Sequence, residues 1–460
     1  MMAFKDTLVD ILVNRDQSID LPQTGPIKDA FKIAAHLGEF KCLKRLHIDF
    51  AKDVALHKVD ELLALCPSAS TLEDVKITMA IKTEEETFDD DYVDVHGIRR
   101  LPSVNKLTLI NREHLSNQDM VYIMHKFPGL THLHSTTEGH YLEEPEVGCY
   151  TSEVVQQFSR YISNLDRCHI SLFKAAPALI LDAIRQLSKG FKVDDLLVYA
   201  SDETDDEKCA YLNILEPTQM QHMSHTVYLI LPTLHIDPLN QTALEAFAPQ
   251  VKKLQLYGTL NPKRTRTNAT PFSNVQMTTN KILSESAEYI LSNFSRLRKL
   301  CLYNLIISTK SFTGTIPAAR LQLEDVYIYQ CALNSKTLRQ FSRYLDFVKR
   351  FRLEDVSFWI RDDLSIVDNQ KNYEIDMPYT AFGTIFMPGD NRADSILVKI
   401  CTDTTTNHFL HGSHHDDSYE LTEQGYNEIE SLDSNAQSIH VKCRRFTAID
   451  FGCCKFPISE

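Results

Sequence analysis

The sequence predicts an α/β solenoid, in which parallel strands form one curved face and helices form the opposite face. The first observation is a six-residue pattern, apolar-x-x-apolar-x-apolar, which recurs along the chain and begins at residues such as Leu43, Leu72 and Val104. A strand this short cannot bury its apolar side alone, so it must stack on copies of itself. The second observation is that helix-like segments separate the strands, which favours parallel strands with a crossover after each one.

Thirteen segments match the strand pattern, and the distance from one segment to the next varies between 20 and 46 residues. Irregular spacing with a constant strand motif predicts connections of variable length around a fixed sheet. The matches at Leu231, Ala393 and Ala436 are the weakest. The candidate units begin at Leu43, Leu72, Val104, Leu130, Leu165, Val193, Leu231, Val251, Leu297, Leu323, Val348, Ala393 and Ala436.

Three of the connecting segments have apolar residues at the i, i+3, i+4, i+7 spacing that predicts an amphipathic helix. They are residues 117–127, 284–294 and 335–347. A serine or asparagine stands at the start of each segment, where it can act as the N-cap of the helix.

Composition excludes several classes of protein. The chain has 460 residues, of which 43% are hydrophobic and 24% charged, as in ordinary globular proteins. It contains neither an apolar stretch long enough to span a membrane nor the apolar core of a signal peptide. The 11 cysteines are odd in number and include no Cys-x-x-Cys pair, so neither a disulfide framework nor a zinc finger is expected. We therefore expect an intracellular protein, cytoplasmic or nuclear, without a membrane partner.

Catalytic motifs are absent from the sequence. It has no phosphate loop, no dinucleotide-binding glycine motif, no nucleophile elbow and no H-E-x-x-H helix. We therefore expect neither an enzyme nor a cofactor. A net charge of −14 also argues against general nucleic-acid binding, which needs a broad basic surface.

The densest group of metal-ligand residue types is the segment from His408 to Asp417, which contains four histidines and two aspartates. Such a group can hold zinc or another divalent ion, as a metal-dependent enzyme would require. A solvated loop near the end of the array is the alternative, and we favour it. Acidic runs at residues 83–94 and 201–207 have the same two interpretations, metal or basic-partner binding against solvated loops.

The strand pattern resembles that of leucine-rich repeat proteins over roughly residues 40–445. Their consensus is L-x-x-L-x-L-x-x-N/C-x-L, and residues 323–333 (LEDVYIYQCAL) match it, with Cys331 at the N/C position. Elsewhere that position holds Arg112, Thr259 and Leu305. The irregular units are most similar to the repeat region of fungal F-box/leucine-rich-repeat proteins. This resemblance implies a non-enzymatic adaptor that selects substrates for ubiquitin ligation and also binds a Skp-family linker.

An F-box itself is not recognisable in the sequence. In the family it is a helical segment before the repeats that usually carries a Leu-Pro start and a tryptophan, whereas the sole tryptophan here is Trp359. Leu21-Pro22 is followed by Gln-Thr-Gly-Pro, which does not open a helix. We expect residues 1–40 to form an N-terminal helical cap or a degenerate F-box-like segment. Residues 41–460 then form the repeat array, with a loop insertion at about 362–391 and a C-terminal cap.

The resemblance also indicates which side chains face a partner. In leucine-rich repeats the third and fifth motif positions lie on the concave surface, because strand side chains alternate. In the first 11 units these 22 positions hold eight Lys or Arg, three Asp and five His, a formal charge of +5. The partner-binding residues predicted in this way are Arg45, His47, Lys76, Lys106, His132, His134, Arg167, His169, Lys253, Lys299, Tyr327, Arg350 and Arg352.

A clustered set of cations attracts anions, and arginine can hold a phosphate through two hydrogen bonds. The sequence therefore predicts that the concave face binds an acidic or phosphorylated protein. The alternative explanation of the charge is that Lys and Arg on exposed strands resist aggregation. The five histidines could also make binding depend on pH. A free-standing scaffold or inhibitor without a role in ubiquitin ligation is the alternative function.

Overall fold

The structure is a computed structural model, and its described residues fall into two compact units. Unit 1 comprises residues 1–193 and 206–229, and unit 2 comprises residues 194–205 and 230–460. The described residues are 6–14, 34–50, 56–66, 71–79, 97–110, 115–136, 150–200, 210–215, 224–231, 244–258, 284–305, 307, 319–333, 335–354, 356–358, 372–386, 395–412, 418–432, 437–450 and 455–457.

More of the described residues lie in strands than in helices. The strands are β1 Asp10–Asn14, β2 Arg45–Asp49, β3 Asp74–Thr78, β4 Lys106–Ile110, β5 His132–Thr136, β6 Arg167–Ala175, β7 Val193–Ala200, β8 Ala210–Leu215, β9 His225–Leu231, β10 Lys253–Tyr257, β11 Lys299–Tyr303, β12 Leu321–Tyr329, β13 Ala332–Leu333, β14 Leu345–Glu354, β15 Ser357–Phe358, β16 Asn372–Phe386, β17 Ser395–Cys401, β18 Thr406–Gly412, β19 Ser418–Leu421, β20 Gln437–Asp450 and β21 Lys455–Pro457.

Helices connect many of these strands. They are a short 3₁₀ helix Ala34–Glu39 and the α-helices α1 Leu56–Leu63, α2 Asn117–Lys126, α3 Ser152–Ile162, α4 Pro177–Gly190, α5 Ser284–Asn293, α6 Ser335–Tyr344 and α7 Glu423–Leu432. The three helices predicted from apolar spacing are confirmed. The third of them ends three residues early, because β14 begins at Leu345.

Unit 1 repeats one strand-and-connection step. Strands β1 to β6 pair in chain order, each parallel to the next, and β8 closes on β6 in the antiparallel direction. The helices follow the same order, with α1 against α2, α2 against α3 and α3 against α4. This stacking of like units is what the recurring motif predicted.

Unit 2 continues the parallel pattern. Its strands pair in the order β7, β10, β11, β12, β14, β16 and β20, each parallel to the next. Near the C-terminus the pattern changes. β17 is parallel to β20, and β18 and β19 follow it as antiparallel neighbours. β13 and β15 form a separate parallel pair. The predicted α/β class, with mostly parallel strands that alternate with helices, is confirmed.

The first, fourth and sixth motif positions form the core. In the unit that contains β2 these are Leu43, Leu46 and Ile48, all buried, and in the unit that contains β11 they are Leu297, Leu300 and Leu302, also buried. Burial of each such side chain contributes about 1.5–3 kcal/mol to folding. Since the same positions recur from strand to strand, the core is a continuous apolar layer within each unit.

Local chemistry sets where the helices begin. The side chain of Ser116 accepts a hydrogen bond from the backbone of Asp119, whose carboxylate accepts one from the backbone of Ser116 in return. This capping box satisfies two N–H groups at the start of α2. Inside the same helix, the ammonium group of buried Lys126 pairs with Asp60 of α1, which also accepts a hydrogen bond from Tyr122. Burial lowers the pKa of Lys126, and the carboxylate opposes that shift.

The strands predicted from the sequence are largely confirmed. Twelve of the thirteen candidate units contain a described strand. At Leu231 the strand β9 ends where the unit was expected to begin, and the predicted strand after it lies outside the described residues.

Two segments differ from their predicted structure. The region at 362–391 was predicted to be a loop insertion, but residues 372–386 form strand β16, with Phe382 and Ile385 buried in the sheet. In the first 40 residues a helical cap was expected, whereas Asp10–Asn14 forms strand β1 next to β2. The boundary at residue 40 itself stays a prediction.

Candidate binding surface on the strands

Side-chain alternation gives each sheet a second face, opposite the buried apolar residues. In β4, for example, Lys106 is exposed and Thr108 half-buried, while Leu107 and Leu109 between them are buried. We call the side chains at the third and fifth motif positions the exposed strand face. All thirteen predicted partner-binding residues lie on this face.

Parallel pairing in register aligns these positions into rows across the strands. In unit 1 the third row is Asp10, Arg45, Asp74, Lys106, His132 and Arg167, and the fifth row is Leu12, His47, Lys76, Thr108, His134 and His169. In unit 2 the third row is Asp195, Lys253, Lys299, Asp325 and Arg350, and the fifth row is Leu197, Gln255, Cys301, Tyr327 and Arg352.

Carboxylates within the rows bind most of the predicted cations. In unit 1, Asp10 accepts two hydrogen bonds from Arg45, and Asp74 lies 3.1 Å from the ammonium nitrogen of Lys106. Asp10 belongs to β1, a strand that is not among the thirteen predicted units. It lowers the formal charge of the rows by one, so the face is less positive than the sequence count suggested.

Unit 2 has the same kind of pairing. Asp325 accepts a hydrogen bond from Arg350 at 2.7 Å, and its second oxygen is 4.0 Å from Nε of Arg352. Lys253 lies 4.0 Å from Asp195. Five of the eight predicted cations therefore have a carboxylate within 4.0 Å. The other three, Lys76, Arg167 and Lys299, have no ion pair among the described residues.

A row of tyrosines extends the face of unit 2 at the seventh motif position. Tyr257 and Tyr303 stack with their ring centroids 4.3 Å apart and their planes 3° apart, and Tyr329 packs edge-on against Tyr303. Burial raises the pKa of Tyr303 to about 12. The sequence carries a signal for this row, since the segments LQLY, LCLY and VYIY all end in tyrosine.

Arginine and aromatic side chains also meet in unit 2. The guanidinium of Arg352 lies 4.5 Å from the ring centroid of Phe386, a cation–π geometry. Beside it, the hydroxyl of Tyr327 donates a hydrogen bond to Glu354 at 2.5 Å. The fifth-row residues Gln255 and Cys301 are buried, so they form the floor of this part of the face.

Histidines dominate the face of unit 1. The rings of His134 and His169 are 4.5 Å apart, and burial together with the charge of His134 lowers the pKa of His169 to about 4. His47 shares a 2.9 Å hydrogen bond with Thr78, and burial lowers its pKa. At physiological pH, His169 is therefore neutral.

The histidine-rich segment near the C-terminus does not form a metal centre within the described residues. His408 lies in strand β18, where it is buried against the ring of Tyr426, and burial lowers its pKa. The residues that the structure describes contain no group of three or more His, Cys, Asp or Glu arranged to hold a metal. His414 and His415 lie outside them. β18 replaces the expected loop over Thr406–Gly412 because Phe409 and Leu410 are core residues.

Comparisons with known proteins give distant structural likenesses to solved structures. No family model matches the chain, and no curated protein does. Among solved structures, the crystal structure of the yeast Rad7 and Elc1 complex is similar at 12% sequence identity, over 78% of this chain and 82% of that chain, with a TM-score of 0.23. A TM-score this low does not establish a shared fold, and the function proposed below depends on this chain's own residues. In the described part of the chain, no helix has the length and apolar character needed to cross a membrane.

Proposed function

We propose that this chain is a protein-recognition module that contacts its partner through the exposed strand face. The observation that carries the proposal is the alignment of His, Lys, Arg and Tyr side chains in register across successive parallel strands. Tyrosine and arginine are the residue types most often found at binding hot spots, and a sheet holds them rigidly. Because Tyr257 is already stacked on Tyr303, binding a partner costs less conformational entropy in these two side chains.

The partner is proposed to be acidic or phosphorylated. Lys299 supports this, since it carries a charge without an ion pair among the described residues and lies between Lys253 and Asp325. Arg352 supports it as well, because its guanidinium is about one-third exposed over Phe386. Desolvated guanidinium groups bind carboxylates and phosphates through paired hydrogen bonds.

The finer proposal is that the chain is a substrate adaptor for ubiquitin ligation. The resemblance of its repeats to fungal F-box/leucine-rich-repeat proteins supports this role. Asp10–Asn14 is paired into the sheet, so these residues are not part of a helical F-box. A Skp-family linker would therefore not use Asp10–Asn14 as part of an F-box helix.

The experiment is capture of the partner from the protein's own cell extract by the full-length chain, followed by mass spectrometry. Two variants, Arg352→Gln and Tyr303→Ala, remove contacts of the exposed strand face. Lys349→Gln is the matched control, because Lys349 is exposed but lies outside the third and fifth rows. Glutamine is preferred to glutamate, since a new carboxylate at position 352 would repel Asp325.

We expect a partner that wild type and Lys349→Gln retain and that both face variants lose. Equal recovery by all four proteins would overturn the proposed surface. Recovery of a Skp-family linker and a cullin with the partner supports the adaptor role. Recovery of the partner alone favours the second candidate, a free-standing scaffold or inhibitor. The internally paired charges of the face suit partner binding in either role.

A further inference from the structure

Four nitrogen-bearing side chains meet on strands β5 and β6 of unit 1. His132 is the register partner of Arg167, and His134 is the register partner of His169. Adjacent strands are about 4.8 Å apart, and alternate residues along a strand are about 6.6 Å apart. The four side chains therefore border an area about the size of a phosphate group. All four are half-buried. We call them the β5–β6 patch.

The patch has an unbalanced positive charge among the described residues. Arg167 has no ion pair there, and the nearest carboxylate of the third row, Asp74, is bound to Lys106. The fifth row of unit 1 contains no carboxylate at all, but it does contain Lys76. Asp166 lies immediately before β6, is exposed and lies outside both rows.

The donors suit a phosphate better than a carboxylate. A phosphate monoester presents three acceptor oxygens and close to two negative charges. Arg167 can supply two parallel N–H donors to two of the oxygens, and each imidazole can supply one more from a different direction. A carboxylate has only two oxygens, which Arg167 alone would satisfy.

We propose that the β5–β6 patch binds the phosphate group of a phosphorylated serine or threonine of the protein partner. This inference rests on the proposed function and assigns the phosphate to unit 1. Phosphate binding at the patch couples to proton uptake. A dianion beside His169 favours its imidazolium form, which burial disfavours in the unliganded chain.

The groups that face His169 are few. From β5 they are His134 and His132, and from its own strand Arg167. Lys106 of β4 lies beyond His132 in the third row. β8 pairs with β6 only from Ile170 onward, and it has no charged residue. No described carboxylate of the rows adjoins the patch, so the bound anion supplies the charge that proton uptake requires.

The test is titration of the full-length protein with inorganic phosphate at constant ionic strength, observed through the imidazole NMR signals. We expect saturable shifts of the signals of His132, His134 and His169, and binding about tenfold weaker in Arg167→Gln, which loses the paired donors. Arg45→Gln is the matched control, because Arg45 lies in the same row but is held by Asp10. Its phosphate affinity should equal that of wild type.

Isothermal titration in two buffers of different ionisation enthalpy counts the protons bound with phosphate. We expect the proton uptake per phosphate at pH 7 to be greater in wild type than in His169→Gln, since any protons that phosphate releases on binding as the dianion are common to both proteins. Three results would each overturn the site. The shifts fail to saturate, or Arg167→Gln and Arg45→Gln weaken phosphate binding equally, or acetate binds as tightly as phosphate. If wild type does not bind phosphate but Arg352→Gln and Tyr303→Ala still lose the partner, this inference is wrong and the proposed function stands. An unfolding curve for each variant shows that it is folded.

Discussion

Arg350 donates a hydrogen bond of 2.7 Å to Asp325 across strands β12 and β14. The other oxygen of the same carboxylate is 4.0 Å from Arg352, so one acid orients two guanidinium groups on the exposed strand face. The cations are thereby held in place before a partner arrives. This arrangement lowers the positive charge of the face but also lowers the entropic cost of binding.

The first prediction concerns the stability that Asp325 provides. Asp325→Asn should lower the free energy of unfolding by about 1 kcal/mol, because it weakens the hydrogen bond from Arg350 and removes the negative charge that faces Arg352. The loss should become smaller in high salt. Urea denaturation at low and high ionic strength measures both effects. Glu73→Gln is the control, since the pair of Glu73 with Lys44 is about half exposed on both sides, and its loss should be near zero. Equal losses in the two variants would contradict the prediction.

The second prediction is a pH dependence due to His169. The folded chain holds the pKa of this imidazole at about 4, whereas its ordinary value is 6.5. Between these values the unfolded chain binds a proton there and the folded chain does not, so stability falls as the pH drops from 6.5 toward 4. The variant His169→Gln should lose less stability over that range than wild type.

His47, His225 and His408 also have a lowered pKa and contribute in the same direction. The measurement is therefore the difference between wild type and His169→Gln in urea denaturation at pH 7 and pH 4.5. If both proteins lose the same free energy of unfolding between pH 7 and pH 4.5, the pKa of His169 is not lowered in the folded chain.

Much of the fold could be predicted because the strand motif records the core directly. The first, fourth and sixth positions point inward, so their apolar character survives even when the connections vary in length. β1 also carries the motif, with Leu8, Ile11 and Val13 at the first, fourth and sixth positions, but the apolar residues Val9 and Leu12 between them obscure the alternation.

β16 could not be predicted from the sequence because it contains Pro378 and Gly383, which usually mark loops. The pairing with β20 shifts register between Met377 and Ala381, and this bulge accommodates a proline that lacks an N–H donor. At Gly383 a Cβ atom would lie 2.5 Å from the carbonyl oxygen of Lys349, so the close approach of the strands requires glycine. Both features depend on the neighbouring strand, which the local sequence does not specify.

The positions of the candidate site could also be predicted, but the charge balance could not. Alternation alone placed Arg350 and Arg352 on the exposed strand face. Their shared carboxylate became visible only with the register, which aligns Asp325 with Arg350. In unit 1 the neutralising Asp10 lies in the unrecognised β1, 35 residues before Arg45.

The third prediction tests whether β16 belongs to the core. Phe382 is 1% exposed, and its ring centroid is 5.0 Å from that of Phe351 on β14. Phe382→Ala should lower the free energy of unfolding by about 3–5 kcal/mol, since it leaves a cavity between two strands. Tyr379→Ala on the same strand is the control, because Tyr379 is 42% exposed, and its effect should stay within about 0.5 kcal/mol. Chemical denaturation distinguishes the two. A small loss for Phe382→Ala would instead indicate a loop resting loosely on the sheet.

The fourth prediction links backbone packing to the tyrosine row. The backbone N–H of Gly258 donates to the carbonyl of Tyr303 at 2.8 Å, directly after Tyr257. A Cβ atom at position 258 would lie 1.9 Å from the carbonyl oxygen of Asn304, so Gly258→Ala must displace the ends of β10 and β11. We expect a loss of about 1–3 kcal/mol in the free energy of unfolding.

Tyr257 and Tyr303 are the last residues of β10 and β11, so the same displacement should separate their stacked rings. Gly258→Ala should therefore reduce the near-ultraviolet circular dichroism of tyrosine and weaken partner capture, even under conditions in which the variant is fully folded. Gly97→Ala is the control, because a Cβ atom there meets no described heavy atom within 4 Å. An unchanged tyrosine signal in a destabilised Gly258→Ala variant would mean that the ring stack does not depend on this contact. Partner binding should then persist as well, since the rings and not the strand ends present the surface.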